Sequence, residues 1–524
     1  MKFIWLLCAL CFFNAAHAQD KYFQQELKYD IKAELNDMDK TITGFETIQY
    51  KNNAPRSLDF IWFHIWPNAY KNESTALIQQ IKNDASRSKK MKSFGKGSIE
   101  GLDFKVNGSS VRIEAHPNPQ YIDIIKVILD KPLASGDSIS ISTPFKTILP
   151  PYFSRSGFAD GQFMACQWYP KPAVYDKTGW HEFPYLDMGE FYSEFADFNV
   201  TLTLPASYVV SATGVLQTSE ELGSYKKLGS VNASSRNGKP VLYTNSTARK
   251  TLQWKADLVP DFAFFADKDL VIQYDTAVLG TGKIVDAFSF YHNKKNTIWN
   301  NSIDYVKDAV RKYSAWVGEY EYPVVQVVEG PKNNSSGGME YPMVTLITSP
   351  DAKIETLDAV ITHEIGHNWF MSMLGSNERA HTWMDEGLNT YFQFKYEAEK
   401  YRSNSIFGDG IPRQIQSLPA DDFLNAVFGV IGENIPMESP MNLSAEQFPN
   451  SDEYGLVSYI KTAVWLHMLK EKVGPVKFDL AIKNYFYKWK NKHPQPADMK
   501  LAFEEATGTN LDEFFELINK KGKL

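Results

Sequence analysis

In this chain of 524 residues, His363, Glu364 and His367 stand as His-Glu-x-x-His, and Glu386 follows the second histidine after eighteen intervening residues. On a helix, side chains four apart leave one face about a turn apart, so both histidines can offer imidazoles to one ion. Glu364 sits one step round the helix, beside that ion and not on it. Catalytic zinc takes three protein ligands and keeps a fourth position open. Glu386, on the next helix, supplies the third ligand, which gives one Zn2+ per chain. Zinc so held acidifies a water and polarises a carbonyl. Glu364 then acts as general base, taking a proton from the water and passing it to a leaving amine. A further donor is needed for the oxyanion of the attacked carbonyl. The chemistry is hydrolysis, with a peptide bond as its natural target.

The elements that must position these residues fall into two kinds. From about Gln19 to the 270s the sequence reads as strands and turns. Residues 41–50 are rich in β-branched and aromatic side chains, and residues 138–142 and 199–204 alternate with period two. Asn107-Gly108-Ser109 and Asn237-Gly238 mark turns. This half is expected to form an antiparallel β sandwich or saddle-shaped sheet. From the 290s the pattern turns helical: Ile298, Ile303, Val306, Val310 and Trp316 fall near helical spacing. Short strands over 323–328 and 343–347 follow, and beyond Glu355 the chain reads mostly as helix. The expected organisation is an α+β multidomain protein, with a β-sheet domain over 19–275 and a mainly helical catalytic domain over 276–524. No Pro/Ser-rich linker separates them, so the halves are expected to pack firmly.

Composition narrows the partners. A hydrophobic content of 43% and a charged content of 22% belong to a globular chain, and its length suits two or three domains. Aromatics at 14% favour β-structure in the first half. The net charge of −7, with no basic patch, gives no reason to expect nucleic acid. Residues 1–18 read as a secretory signal peptide: Lys2 opens it, 3–13 are apolar, and Ala16-His17-Ala18 forms a cleavage site. The apolar run is too short to span a bilayer. Cys8 and Cys11 each follow a leucine, where a lipoprotein signal wants a small residue. Removal of the leader leaves Cys166 alone, so no internal disulfide can form. An exported protein without a transmembrane segment is expected, periplasmic or extracellular.

The gluzincin spacing H-E-x-x-H-(18 residues)-E resembles that of the zinc aminopeptidases that include aminopeptidase N and the leukotriene-hydrolase group. Trp383-Met384-Asp385-Glu386-Gly387 fits their W-x-x-E-G, and Gly337-Gly338-Met339-Glu340-Tyr341-Pro342 looks like their G-x-M-E-N. Tyr459-Ile460-Lys461-Thr462 resembles their Y-x-K-G. The resemblance implies a β saddle followed by a thermolysin-like catalytic domain, in a short form whose sequence stops before the family's helical C-terminal domain. It implies that Glu340 holds the substrate's free α-amine from an edge strand, with Gly337, Gly338 and Met339 giving backbone contacts. Tyr459 becomes the oxyanion donor, Tyr454 its helper, and Gln167 a substrate-reaching residue of the β-domain. Tyr341, Asn368 and Thr462 depart from the family's Asn, Gln and Gly, which touches substrate preference but removes neither ligand nor base. The expected activity is a zinc aminopeptidase acting on peptides with a free N-terminus. An endopeptidase with an open cleft is the alternative, followed by a non-catalytic binding module and, with least support, an epoxide hydrolase. The sequence says nothing of oligomeric state.

Overall fold

Residues 26–36 alternate strictly, burying Leu27, Tyr29, Ile31, Ala33 and Leu35 while the residues between face out, so this segment is a strand with one core face. In the computed structural model, which describes residues 22–89, 95–236, 238–294, 297–333, 337–349 and 352–524, that strand lies inside a nine-stranded sheet. The leader read at 1–18 lies outside the described residues. Strands Thr41–Lys51 and Ser138–Ile148 follow on one side of Glu26–Asn36, and Ala196–Pro205 and Arg249–Val259 on the other. The sheet is antiparallel except where Glu26–Asn36 meets Ala196–Pro205, which run parallel from Leu27 opposite Ala196. An entirely antiparallel sheet was the expectation. A parallel neighbour needs a long crossover, and residues 37–195 supply one. Two four-stranded sheets and a two-stranded one complete the β-rich half.

That half also contains helices Ala76–Asn83, Ala85–Ser88 and Ser219–Ser234, where strands and turns were expected. The last turns Glu221, Tyr225, Gly229 and Asn232 inward, a helical spacing written in residues that carry little apolar signal. Each polar side chain finds a partner: Glu221 pairs with Lys250, the Tyr225 hydroxyl accepts from Val210 N, and Asn232 donates to Ile272 O.

The second half is built on a five-stranded sheet in the order Leu270–Val278, Ile284–His292, Val324–Glu329, Val344–Ile347, Gly338–Tyr341. Its first strand straddles the boundary expected at 275, because a tight turn at 279–283 folds it back on Ile284–His292. Helices Ser302–Trp316, Ile354–His367 and Glu386–Lys400 pack beside this sheet, and further helices run to the C-terminus. One apolar core takes in residues of both halves, from Ile31 and Phe264 to Val327, Leu388 and Phe486. The seam is tied by Gln162 Nε2 donating to Glu329 O at 2.9 Å and Gln326 Nε2 to Ala212 O at 2.8 Å. Among the described residues no helix is long and apolar enough to cross a membrane, and Cys166 is a buried free thiol.

Candidate active site

Helix Ile354–His367 buries Leu357, Ile361 and Ile365, which fixes its rotation and turns His363 and His367 toward the same cavity. Their Nε2 atoms lie 3.1 Å apart. Glu386 opens the next helix, and its Oε2 is 3.3 Å from His363 Nε2 and 3.4 Å from His367 Nε2. Tetrahedral zinc with bonds of about 2.0–2.1 Å would hold its donors about 3.3 Å apart. The three atoms therefore already have the spacing of a zinc ligand set, and Glu386 Oε2 is buried with no hydrogen-bond partner.

Neighbouring groups orient these ligands. His367 Nδ1 lies 2.7 Å from Asp385 Oδ1, so that nitrogen carries the proton and Nε2 presents its lone pair to the metal position. The Tyr459 hydroxyl donates to Glu386 Oε1 at 2.6 Å, and its ring stacks on His363. Burial works against charge on His367, but the carboxylates of Asp385, Glu386 and Glu340 overcome it and raise its pKa. So many acids around two imidazoles make a strongly negative pocket that a dication would neutralise. A Cβ built on Gly387 would come within 2.2 Å of Thr462 Cβ, so only glycine lets helix Glu386–Lys400 lie this close to the segment carrying Tyr459. Thr462, standing where the family has glycine, packs at this contact.

Glu364 lies against the edge strand Gly338–Tyr341. A Cβ on Gly338 would sit 2.4 Å from Glu364 Oε1, so the missing side chain leaves room for the base. Burial, opposed by the two histidines and helped by Glu386 and Glu190, lifts the Glu364 pKa to about 7, a value suited to taking and returning a proton. Among the described residues the edge strand pairs only with Val344–Ile347, and its outer side lines the cavity through Gly337, Gly338, Met339 and Glu340. Asn368 holds the strand's turn: its Oδ1 accepts from Met343 N at 2.8 Å, and Met343 has a positive φ of 63°. The substituted residue thus has a positioning task of its own.

The cavity, about 390 Å³, brings together His363, Glu364, His367, Glu386, Tyr459, Tyr454, Glu340 and the glycines of the edge strand. Tyr454 is buried edge-on to Tyr459. Burial, and after it the charge of Glu190, raise the Glu340 pKa well above the usual range. Gln167 lines a smaller adjoining cavity that shares Glu190, Met339 and Glu340 with the first, its Nε2 donating to Asp261 Oδ2 at 3.2 Å and its Oε1 accepting from the Tyr341 hydroxyl at 3.1 Å. Its amide ties the β-domain to Tyr341 of the edge strand.

Among the residues of the site, Asp385, Glu190, Arg155 and Arg379 carried no assigned role in the sequence. Asp385 could have been found as the carboxylate a ligating histidine requires, since it immediately precedes a ligand. Glu190 comes from a β-domain loop and gives no pattern. Arg155 clamps that loop, with Nε donating to Glu190 Oε2 at 2.9 Å, NH1 to Leu186 O at 3.0 Å and NH2 to Asp187 O at 3.1 Å. From the catalytic half, Arg379 donates to Met188 O at 2.9 Å and to Pro184 O at 3.1 Å. The loop that carries Glu190 is held by two buried arginines, one from each half of the molecule.

Comparison with known proteins agrees with this geometry. "Leucine aminopeptidase 2" of Chaetomium globosum is 25% identical over 207 residues, which are 39% of this chain and 32% of that protein. A "Leukotriene A-4 hydrolase homolog" of Botryotinia fuckeliana is 27% identical over 190 residues, 34% of this chain and 27% of that protein. The matches thus take in about a third or less of these relatives' own length. In fold, the chain is similar to an M1 zinc metallopeptidase of Deinococcus radiodurans bound to a Tyr-Ser-Ala substrate (TM-score 0.63, 17% identity, 96% of this chain and 95% of that one). It is also similar to aminopeptidase A of Legionella pneumophila (TM-score 0.64, 14% identity, 96% of this chain and 50% of that one). The sequence model of the peptidase family M1 domain matches residues 302–517, which hold the three ligands, the base, Glu340 and Tyr459. That segment of the chain is similar to the peptidase family M1 domain and carries the donor set of a zinc site.

Proposed function

We propose that this protein is a zinc-dependent aminopeptidase that removes residues one at a time from the N-terminus of peptides. The observation that carries the reading is one cavity in which the ligand triad and Glu364 face two further acids, the buried Glu340 and the part-buried Glu190. Zinc held by His363, His367 and Glu386 would polarise the scissile carbonyl and acidify water. The chain's own residues do the rest. The Glu364 carboxylate accepts the water's proton and returns it to the departing amine. The Tyr459 hydroxyl, held ready on Glu386 Oε1, swings to donate to the oxyanion. Glu340 and Glu190 receive the substrate's α-ammonium, whose positive charge offsets their mutual repulsion. The outer side of strand Gly338–Tyr341 offers backbone groups to an extended peptide. The leader-like residues 1–18 support export to the periplasm or the medium as part of this proposal.

The test offers one peptide with a free N-terminus and the same peptide acetylated, with products read by mass spectrometry and a chelator control. Stepwise loss of single residues from the free peptide alone, abolished by chelator, is the expected result. Internal cuts in both peptides would make the protein an endopeptidase and remove Glu340 and Glu190 from the role given them.

A further inference from the structure

Behind the loop that carries Glu190 lies a second cavity of about 390 Å³, lined by amides such as Gln79, Gln120 and Asn450 and by Tyr121 and Phe448. Three chain segments contribute neighbouring residues to both cavities. Arg87, Asp187 and Ser451 face the site, while Asp84, Met188 and Asn450 face the second cavity. The same three segments therefore stand between the two cavities as a partition.

It is also fastened across the halves. Ser451 N donates to Asp84 Oδ2 at 2.7 Å, and the Ser86 and Ser451 hydroxyls lie 2.9 Å apart. Arg87 Nε pairs with Asp187 Oδ2 at 3.1 Å, both side chains being mostly buried. Gln80 Oε1 accepts from Asp187 N at 2.8 Å and from Met188 N at 3.0 Å. Asp84 in turn caps its own short helix through Ser86 N and Arg87 N. Arg155 bonds both Asp187 O and Glu190, so the partition and the acid that receives the ammonium belong to one clamped loop. Arg87, Asp187 and Ser451 of the partition line the cavity that holds Glu190 and Glu340. A longer or blocked N-terminal side would need the space in which the partition stands.

We propose that Asp84, Ser86 and Arg87, closed against Ser451 and Asp187, form a specificity-determining end wall that limits the enzyme to one residue on the N-terminal side of the scissile bond. The cavity behind the wall is the place that further peptide residues would occupy if it opened. A pocket discriminates by what it leaves no room for as much as by what it binds. This inference rests on the aminopeptidase reading.

Two full-chain variants test it. Ser451→Pro removes the N–H and the hydroxyl that fasten the wall, at the first residue of helix Ser451–Gly455, where proline is tolerated, and after Asn450, whose extended backbone (φ −165°, ψ 170°) suits a following proline. Arg87→Ala removes the ion pair independently, and it alone decides the question if the proline variant fails to fold. A free hexapeptide and its acetylated form are supplied to the zinc-loaded parent and variants, and thermal melts confirm folding. The expected result is at least a tenfold rise, in either variant, in the release of dipeptides or of acetylated N-terminal fragments relative to single residues. An unchanged ratio in folded variants, or loss of single-residue release with no longer fragments, overturns the wall while leaving the aminopeptidase reading in place. Internal cutting of the acetylated peptide by the parent protein overturns that reading, and the wall with it.

Discussion

The two ends of the cavity are made in different ways. At the metal end, His363, Glu364 and His367 leave one helix, and Asp385 and Glu386 begin the next. At the acid end, Glu340 comes from an edge strand, Glu190 and Asp187 from a β-domain loop, Arg155 and Arg87 from two other β-domain segments, and Ser451 from a late helix. The metal end is specified by spacing within a short stretch of chain. The acid end exists only once both halves have docked, and buried arginines from each half hold it. Reaction type is thus encoded locally, and substrate selection is encoded in the assembly. Changes at the first end should abolish turnover, while changes at the second should redirect it.

The sharpest separation comes from Glu364→Gln. Turnover should fall by roughly 10²–10⁴, the ordinary contribution of a general base, with zinc content unchanged by elemental analysis. Loss of metal together with activity would place Glu364 among the ligands and collapse the distinction between base and metal set. Gly338→Ala works from the other side, because the added methyl would meet Glu364 Oε1 at 2.4 Å and its Cγ at 2.6 Å. A base displaced by about 1 Å can cost on the order of 10² in rate, so kcat should drop by roughly 10- to 100-fold with zinc retained. A variant with the parent's kcat would show that the edge strand does not seat the base.

The same contrast explains what could be read from the sequence. His363, Glu364, His367 and Glu386 were legible because helical geometry converts their spacing into a direction in space. Glu340 was legible only through resemblance, although its place on an edge strand matches what the resemblance implied. Gln167 was named through the resemblance, but its partners Asp261 and Tyr341 were not legible, because a sequence gives a residue's neighbours along the chain and not its partners. Glu190 and the wall at Asp84, Arg87 and Ser451 were invisible for the same reason, since their partners lie up to several hundred residues away along the chain. In the fold, strict alternation identified strands such as Ala196–Pro205, but helix Ser219–Ser234 was missed because its inward face is largely polar.

A smaller effect is expected at Asp385, which never touches the metal position. Asp385→Asn keeps a hydrogen-bond acceptor for His367 Nδ1 but removes the charge that makes the imidazole a stronger donor. Zinc affinity should fall by roughly 10- to 100-fold, measured by competition with a chromogenic chelator. Unchanged affinity would mean that hydrogen bonding alone orients His367.

The smallest effect concerns the seam that creates the acid end. His292, on the second half's sheet, has Nε2 3.3 Å from Asp267 Oδ2 of the first half and Nδ1 3.6 Å from Glu329 Oε2. Burial disfavours its charge, but the bonds to Asp267 and Glu329 prevail and lift its pKa to about 9, against about 6.5 for an unfolded histidine. A pKa raised by folding contributes stability that is complete below about 6.5 and is lost as pH climbs through about 9. Denaturant melts of the parent and of His292→Gln should therefore differ most near pH 6, converge across this window and stay close above it. A gap that does not change with pH would mean that His292 bridges the halves as a neutral ring, and that the seam owes its strength to packing and to the amide ties of Gln162 and Gln326.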